Sequence, residues 1–228
     1  EYNANQSQAI KKYGKIEDWN TKKVTDMSNL FNSFDKFDAD ISKWDMTNVT
    51  NTSYMFFKCT NFKNGSNSLN SWNMGNVTSM KGMFEGCENF DSDIGKWDTK
   101  KVTDMSYMFA DAQKFNQNIS SWDTSNVTNF EAMFFLAKSF NNGDNPGEHN
   151  HPLNNWNVSK ATSLRSMFEH ADSFNQNISS WDTKKLSTAT VQYIFNHALK
   201  FNNGDEPCAP IRHKLSFLEY EGTNYKRN

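Results

Sequence analysis

The chain lacks several features that would assign it to a common class. Its 228 residues contain no apolar run long enough to cross a bilayer, and aliphatic residues are scarce. Three Cys are a low count, which favours a fold held by packing rather than by disulfides. A formal net charge of −2 gives no general attraction for nucleic acid or an anionic membrane. The chain begins with Glu1 and shows no signal-peptide pattern, so we expect a processed or truncated piece.

The chain is rich in aromatic residues instead of aliphatic ones, with 19 Phe and seven Trp, and it also contains ten Met. The Trp recur at separations of 25, 28, 25, 25, 34 and 25 residues. A period in this range over most of a chain indicates stacked repeats. The chain therefore divides into seven units, here coils 1 to 7, each numbered from its Trp: Trp19, Trp44, Trp72, Trp97, Trp122, Trp156 and Trp181.

Each coil carries about seven apolar residues at fixed distances from its Trp. An apolar pair ending in Phe follows after eleven and twelve residues, and a second Phe follows after eighteen. In coil 7 the pair Ile194-Phe195 is displaced by two residues. One coil cannot close a core with seven apolar residues, but stacked coils can. Insertions fall at one junction, within Lys63–Ser68 and Asn141–Pro152, which predicts loops along one edge.

Local patterns predict one strand and one helix in each coil. The run Ile119–Thr124 is short and bounded by polar turn residues, as expected of a strand. Apolar residues in Met105–Lys114 have helical spacing. The predicted fold class is an α/β solenoid, a leucine-rich-repeat-like right-handed coil with one short parallel strand and one short helix per roughly 25-residue repeat.

The domain organisation is a single domain with caps at both ends. Residues 1–15 form an N-terminal cap, in which Gln6–Tyr13 is a short helix stopped by Gly14 and Ile16 opens the first strand. Residues 16–202 form the seven-repeat solenoid, and residues 203–228 form a C-terminal cap or tail.

The unit Trp122–Thr128, followed by Met-Phe, a small residue and Phe-Asn, resembles the repeat of BspA-like leucine-rich-repeat bacterial surface proteins. The similarity extends over about residues 16–202. It implies a leucine-rich-repeat-like fold on an exported, often lipid-anchored protein, a lipoprotein that acts in adhesion. The family brings no catalytic residues. Thr52 in place of Met, the displacement in coil 7 and the long loop after Phe140 depart from its pattern.

The residue after each Trp is always Asp or Asn. Such a column either turns the chain and bonds neighbouring coils, which is the favoured role, or presents a polar face to a partner. The ligand-facing candidates are Asp45, Asn73, Asp98, Asp123, Asn157 and Asp182. The expected structural core contains Trp44, Trp72, Trp97, Trp122, Trp156, Trp181, Phe84, Phe109, Phe134 and Phe168.

No cofactor or metal is expected. Weak metal-site candidates are His149, His151, His170 and His197. His149 and His151 lie in the inserted loop beside Asp144 and Glu148, but zinc needs three or four converging ligands and a loop this polar supplies such residues by chance. Asn142-Gly-Asp and Asn203-Gly-Asp are calcium-tolerant turns without the acidic ligand count of a calcium loop.

Cys59 and Cys87 occupy equivalent positions in coils 2 and 3. Stacking would allow a disulfide between them, but two buried thiols acting as small hydrophobic groups are favoured. Cys208 lies in the tail without an evident partner.

The sequence contains no Ser-His-Asp order, Gly-rich phosphate loop or HExxH run, so we expect no enzyme activity. The favoured function is a non-catalytic domain, secreted or on the bacterial cell surface, that binds an extracellular or host protein in adhesion. Self-association through the solenoid ends is a further possibility. One alternative is a carbohydrate-binding module, with Tyr54 and Tyr107 as exposed aromatics, and another is a structural spacer that projects another domain.

Overall fold

A computed structural model describes residues 5–145 and 148–201, which form a stack of seven coils. Within these ranges the helices are α1, Gln6–Tyr13, and three single 3-10 turns at Ile16–Asp18, Asn64–Ser66 and Ala189–Val191. No β-strand occurs in the described part of the chain. Coils 1 to 6 meet instead through a column of isolated parallel bridges that joins Asp26, Asn51, Ser79, Asp104, Asn129 and Ser163. No helix in the described ranges has the length and apolar character needed to cross a membrane.

The predicted α/β solenoid, with a strand and a helix in every repeat, is therefore wrong. The leucine-rich-repeat fold implied by the BspA-like resemblance is wrong for the same reason, because that fold requires a strand in each coil. The repeats do stack, but each coil is a series of turns.

The predicted strand Ile119–Thr124 is made of tight turns. The N–H of Trp122 donates to the carbonyl of Ile119 at 3.1 Å, and Asp123 Oδ1 accepts the N–H of Ser125 at 2.9 Å. Polar groups that bond within the coil are not free to form a ladder with the next one. The strand predicted to begin at Ile16 is likewise the first 3-10 turn.

The predicted helix Met105–Lys114 is also a chain of turns. Tyr107 and Asp111 have φ of 58° and 55°, a left-handed conformation that an α-helix of L-residues excludes. Left-handed residues recur at the same two places in each coil, ten and fourteen after the Trp, or two further on in coil 7: Asn29, Ser33, Tyr54, Lys58, Gly82, Gly86, Tyr107, Asp111, Ala132, Leu136, Ser166, His170, Tyr193 and His197.

Backbone amides in this segment alternate between two kinds of hydrogen bond. The amides of Met108, Ala110 and Ala112 donate to carbonyls three residues earlier in their own coil. The intervening amides donate to the next coil at 2.6–3.0 Å, in the pairs Met105 to Asn129, Tyr107 to Glu131, Phe109 to Met133 and Asp111 to Phe135. The buried backbone is thus satisfied without a helix or a strand.

The core is a set of stacked aromatic columns. Within coil 4 the rings of Phe109 and Phe115 lie 3.9 Å apart, and Phe109 stacks on Phe84 and Phe134 of the neighbouring coils at 5.7 and 5.6 Å. Each Trp from coil 2 onward donates its indole N–H to a carbonyl of the preceding coil, as Trp122 does to Ile94 at 3.2 Å. All ten residues expected in the core are at most 3% exposed.

The N-terminal helix is present as predicted. The Asn5 side chain accepts the N–H of Gln8 at 3.1 Å, and Gly14, with φ of 78°, ends α1. The predicted C-terminal cap at residues 203–228 lies outside the described residues.

Phe109→Ala should lower the free energy of unfolding by about 3–5 kcal/mol, because it leaves a cavity among the rings of Phe84, Phe115 and Phe134. Urea denaturation followed by Trp fluorescence measures the loss. The exposed control Lys101→Ala should change stability by less than about 0.5 kcal/mol. Similar small losses for both variants would contradict the assignment of the core.

Ser166→Gly should be more stable than Ser166→Ala by up to about 1 kcal/mol, because Ser166 has φ of 53°. A helix at this position would give the opposite order, since Gly is the poorer helix former. Thermal and urea unfolding of the two variants shows whether this segment is a series of turns or a helix.

Candidate functional site

The Asp and Asn residues that follow the Trp form a straight column, which we call the Asx row: Asn20, Asp45, Asn73, Asp98, Asp123, Asn157 and Asp182. In all seven, Oδ1 accepts the backbone N–H two residues later, at 2.9–3.1 Å. Each side chain therefore closes an Asx turn, in which a side-chain oxygen takes the place of a backbone carbonyl. The row shapes the chain in the way that was favoured from sequence.

The Asx row is also a solvent-facing surface. Asp45 is half-buried, and the other six members are exposed. Since each side chain is held by its own turn, the orientation of the row is fixed before any partner arrives. The row therefore turns the chain and is also open to solvent.

Two carboxylates of the row, Asp45 and Asp123, have pKa values below the usual one. The Thr47 hydroxyl, followed by the Thr47 N–H and Lys22, lowers the pKa of Asp45 below its usual 3.8. The hydroxyl and N–H of Ser125 lower the pKa of Asp123 from the same value, with smaller contributions from Lys100 and Lys160. The row thus carries fixed negative charges next to lysines.

A cleft of about 570 Å³ opens on the row between coils 2 and 3. Its walls include two of the predicted residues, Asp45 and Asn73, and sequence reasoning missed the others: Ser42, Lys43, Trp44, Met46, Thr47 and Ser71.

The residue two positions after the Trp differs among the coils beside this cleft. In coil 4 that residue is Thr99, which donates to the carbonyl of Asp123 in the next coil at 3.0 Å. Coils 2 and 3 have the buried Met46 and Met74 at this position, which provide no such bridge. Coil 6 also lacks the hydroxyl, with the buried Val158 at this position, so the sequence change alone does not locate the cleft.

A second polar cleft of about 380 Å³ lies beneath the insertion of coil 2. Sequence reasoning did not point to it, because its lining comes from three different coils: Lys63, Ser66, Asn67, Ser68, Asn89, Asp91, Ser92, Asp93 and Gln117.

The four histidines considered as metal ligands do not come together. His170 and His197 stack with ring centroids 4.5 Å apart, whereas His149 and His151 belong to the coil 5 insertion. Within the described ranges no three His, Cys, Asp or Glu side chains are grouped as metal ligands.

Cys59 and Cys87 are free, buried thiols. They donate to the carbonyls of Phe31 and Phe56 at 2.9 and 3.0 Å. Burial raises the pKa of Cys59 to about 12 and raises that of Cys87 well above its usual value. Both remain protonated at neutral pH, so neither is a nucleophile there.

The two tyrosines considered for sugar binding are half-buried. The Tyr107 hydroxyl donates to Glu131 at 2.9 Å, and burial followed by that contact raises its pKa to about 12. Tyr54 meets the ring of Phe57 edge-on at 5.8 Å. Neither ring is an open flat platform.

The profile of one protein family matches the chain three times, over residues 3–70, 63–146 and 144–207. That family is described as "Mycoplasma protein of unknown function, DUF285". No curated protein and no solved structure matches the chain.

Asp123→Ala should destabilise the fold by about 0.5–1.5 kcal/mol, because it removes the acceptor of the Ser125 N–H. Asp123→Asn should cost less than Asp123→Ala at pH 7, since Asn closes the same turn in coils 1, 3 and 6 and only the contribution of the charge is lost. Urea denaturation of both variants tests this. Equal losses for Ala and Asn would mean that the charge, not the turn, is the stabilising feature.

The carboxyl groups of Asp45 and Asp123 should titrate below 3.8 in the folded chain. A lowered folded pKa gives stability that is present above the unfolded pKa and is lost as pH falls through the folded value. NMR titration of the carboxyl carbons measures the two pKa values. Ser125→Ala should raise the titration midpoint of Asp123 and leave that of Asp45 unchanged. A midpoint at or above 3.8 in the unmodified chain would contradict the hydroxyl contact.

Proposed function

This chain belongs to the DUF285 family, and we propose that it is a non-catalytic repeat domain whose Asx row binds a protein partner outside the cell. The observation that carries the proposal is the row itself. Seven equivalent polar side chains point to solvent from a continuous aromatic core, each fixed by a hydrogen bond to its own coil.

Preorganisation makes the row suitable for binding. Ordering a free side chain at an interface costs about 0.5–1.5 kcal/mol, and side chains already held by Asx turns avoid much of that loss. The cleft between coils 2 and 3 adds a concave point on an otherwise regular surface, with Asp45 and Asn73 on its walls. A side chain of the partner would insert there.

The chemistry of the row indicates the kind of partner. The row contains four carboxylates and three amides, so it offers acceptors for Lys, Arg and backbone N–H groups. Each carboxylate is already committed to a turn, which suits recognition better than acid–base chemistry. We therefore propose a binding role rather than catalysis.

An extracellular or bacterial cell-surface location fits this role. Its support is the repeat unit Trp122–Thr128, which resembles the unit of BspA-like surface proteins. Adhesion to a host or neighbouring-cell protein is the function that this resemblance favours. The carbohydrate-binding alternative has less support, because Tyr54 and Tyr107 are half-buried and packed against other groups.

The test is a pull-down of extracellular-matrix and cell-surface proteins with three versions of the chain: unmodified, Asp98→Ser with Asp123→Ser, and a matched control. The control carries Glu88→Ser and Lys138→Ser, two exposed residues sixteen positions after their Trp and away from the row. Serine preserves turn-forming capacity, so all three versions should fold.

A saturable partner that is retained by the control and lost by the double row variant is the expected result. Capture that is unaffected by the row variant would overturn the Asx row as the binding surface. Absence of any partner at micromolar concentration would favour the structural spacer.

A further inference from the structure

The insertion of coil 5 contains a buried cluster of oxygen atoms. Asp144 has a side chain that is 1% exposed, and its Oδ1 lies 2.7 Å from His151 Nδ1. Its Oδ2 accepts the backbone N–H of His151 at 3.0 Å. Gln176 of coil 6, which is 0% exposed, packs against the same carboxylate. A buried carboxylate next to a buried amide, beneath a surface loop, requires a physical explanation.

The amide of Gln176 has an unbalanced set of contacts. Its Nε2 lies 2.9, 3.0, 3.1 and 3.4 Å from Asn141 O, Asn141 Oδ1, Asp144 Oδ2 and Glu148 O. An amide nitrogen has two hydrogens, so it cannot donate fully to four oxygens. At the same time Gln176 Oε1 is buried without a hydrogen-bond partner. The nitrogen is surrounded by acceptors while the amide oxygen has no donor.

The insertion of coil 2 provides an internal comparison, because it begins with the same turn. Asn64 and Asn142 both have left-handed φ, of 55° and 56°. Their Oδ1 atoms accept the N–H of Ile41 and of Ile119, both at 2.8 Å. The two loops therefore place equivalent residues at equivalent points.

The residues that form the oxygen cluster differ between the two loops. Lys63 and Ser66 of coil 2 stand where coil 5 has Asn141 and Asp144. Ser92 stands where coil 6 has Gln176, and its hydroxyl donates to the carbonyl of Lys63 at 2.8 Å. Gln117 of coil 4 makes the same contact as Gln176, donating Nε2 to the carbonyl of Asp91 at 2.9 Å. The stack thus uses one donor at this point, Ser or Gln, and the oxygens that coil 5 adds are those of Asp144 and Glu148.

The sequence repeats this arrangement once. Phe-Asn-Asn-Gly-Asp-x-Pro occurs at residues 140–146 and again at 201–207, at the same place in coils 5 and 7. The first copy lies in the coil 5 insertion and the second at the start of the C-terminal tail, and the repetition of seven residues favours a shared chemical role.

We propose that the coil 5 insertion and Gln176 form a calcium site. The ligands are Asn141 O and Oδ1, Asp144 Oδ2, Glu148 O and Gln176 Oε1, the last after the amide turns to exchange its oxygen and nitrogen. Calcium takes carboxylate, amide and backbone carbonyl oxygens in irregular geometry, whereas magnesium requires a near-ideal octahedron. The ion joins the loop to coil 6.

One carboxylate among neutral ligands makes a weak site. We expect a Kd of roughly 10⁻⁴–10⁻³ M, the range of extracellular calcium modules. Ligand binding to the folded state raises thermal stability in proportion to ln(1 + [Ca²⁺]/Kd), so the effect should be visible at about 10 mM calcium.

The experiment uses the full chain carrying Asp205→Asn, which removes the Asp carboxylate that the two motifs share; Glu206, which has Asn145 as its counterpart in the first motif, is kept. Isothermal titration with CaCl₂ and with MgCl₂, and thermal unfolding with each salt, are compared. Asp144→Asn should weaken calcium binding by at least about tenfold. The matched control is Gln117→Ala, which alters the residue of coil 4 equivalent to Gln176, where no long insertion lies above it. It should leave calcium binding unchanged.

Gln176→Glu separates a cation site from a purely structural amide. Without calcium it places a second carboxylate among buried oxygens and should lower Tm. With calcium the loss should be recovered, and the Kd should fall by about tenfold. Destabilisation that calcium does not reverse would overturn the proposal. It would also be overturned by no saturable calcium binding in the Asp205→Asn chain, or by an unchanged Kd in Asp144→Asn.

Discussion

Stacking of each aromatic ring on its equivalent in the next coil sets the spacing on which the rest of the structure depends. Phe134 and Phe168 are 34 residues apart in sequence, yet their rings lie 5.4 Å apart, close to the 5.6 Å between Phe109 and Phe134. The longest insertion therefore leaves the ring column undisturbed. Because a second Phe column and a Trp column run beside it, a chain with few aliphatic residues still closes a dry core.

This spacing lets the backbone be satisfied without regular secondary structure. Equivalent residues are held one coil apart, so alternate amides reach the next coil while the amides between them close local turns. Left-handed residues such as Tyr107 and Asp111 are the consequence, and they are tolerated because both kinds of hydrogen bond depend on them. The outward side chains are then free for other roles. They form the Asx row, the cleft between coils 2 and 3, and the loop that covers Gln176.

Sequence reasoning predicted the repeat, its core residues and the N-terminal helix, but it gave the coils the wrong secondary structure. Met105, Met108, Phe109 and Ala112 face the core, which is the spacing of a helix. A series of turns with left-handed residues at positions 107 and 111 buries the same four side chains. The spacing of apolar residues therefore cannot distinguish a helix from such a series of turns. The Asx row was visible because Asp and Asn recur after each Trp. The cleft and the oxygen cluster were not, since they depend on which residues meet across coils separated by insertions of different length.

Native-state hydrogen exchange, followed by NMR, tests the stacked-turn account most directly. The account predicts slow exchange for the amides of Tyr107 and Asp111, because both donate to the next coil although their side chains are only half-buried. It also predicts slow exchange for the indole N–H of Trp122, which bonds to Ile94, and faster exchange for that of Trp19, which has no partner. Rapid exchange at Tyr107 and Asp111, with equal protection of all seven indoles, would contradict it.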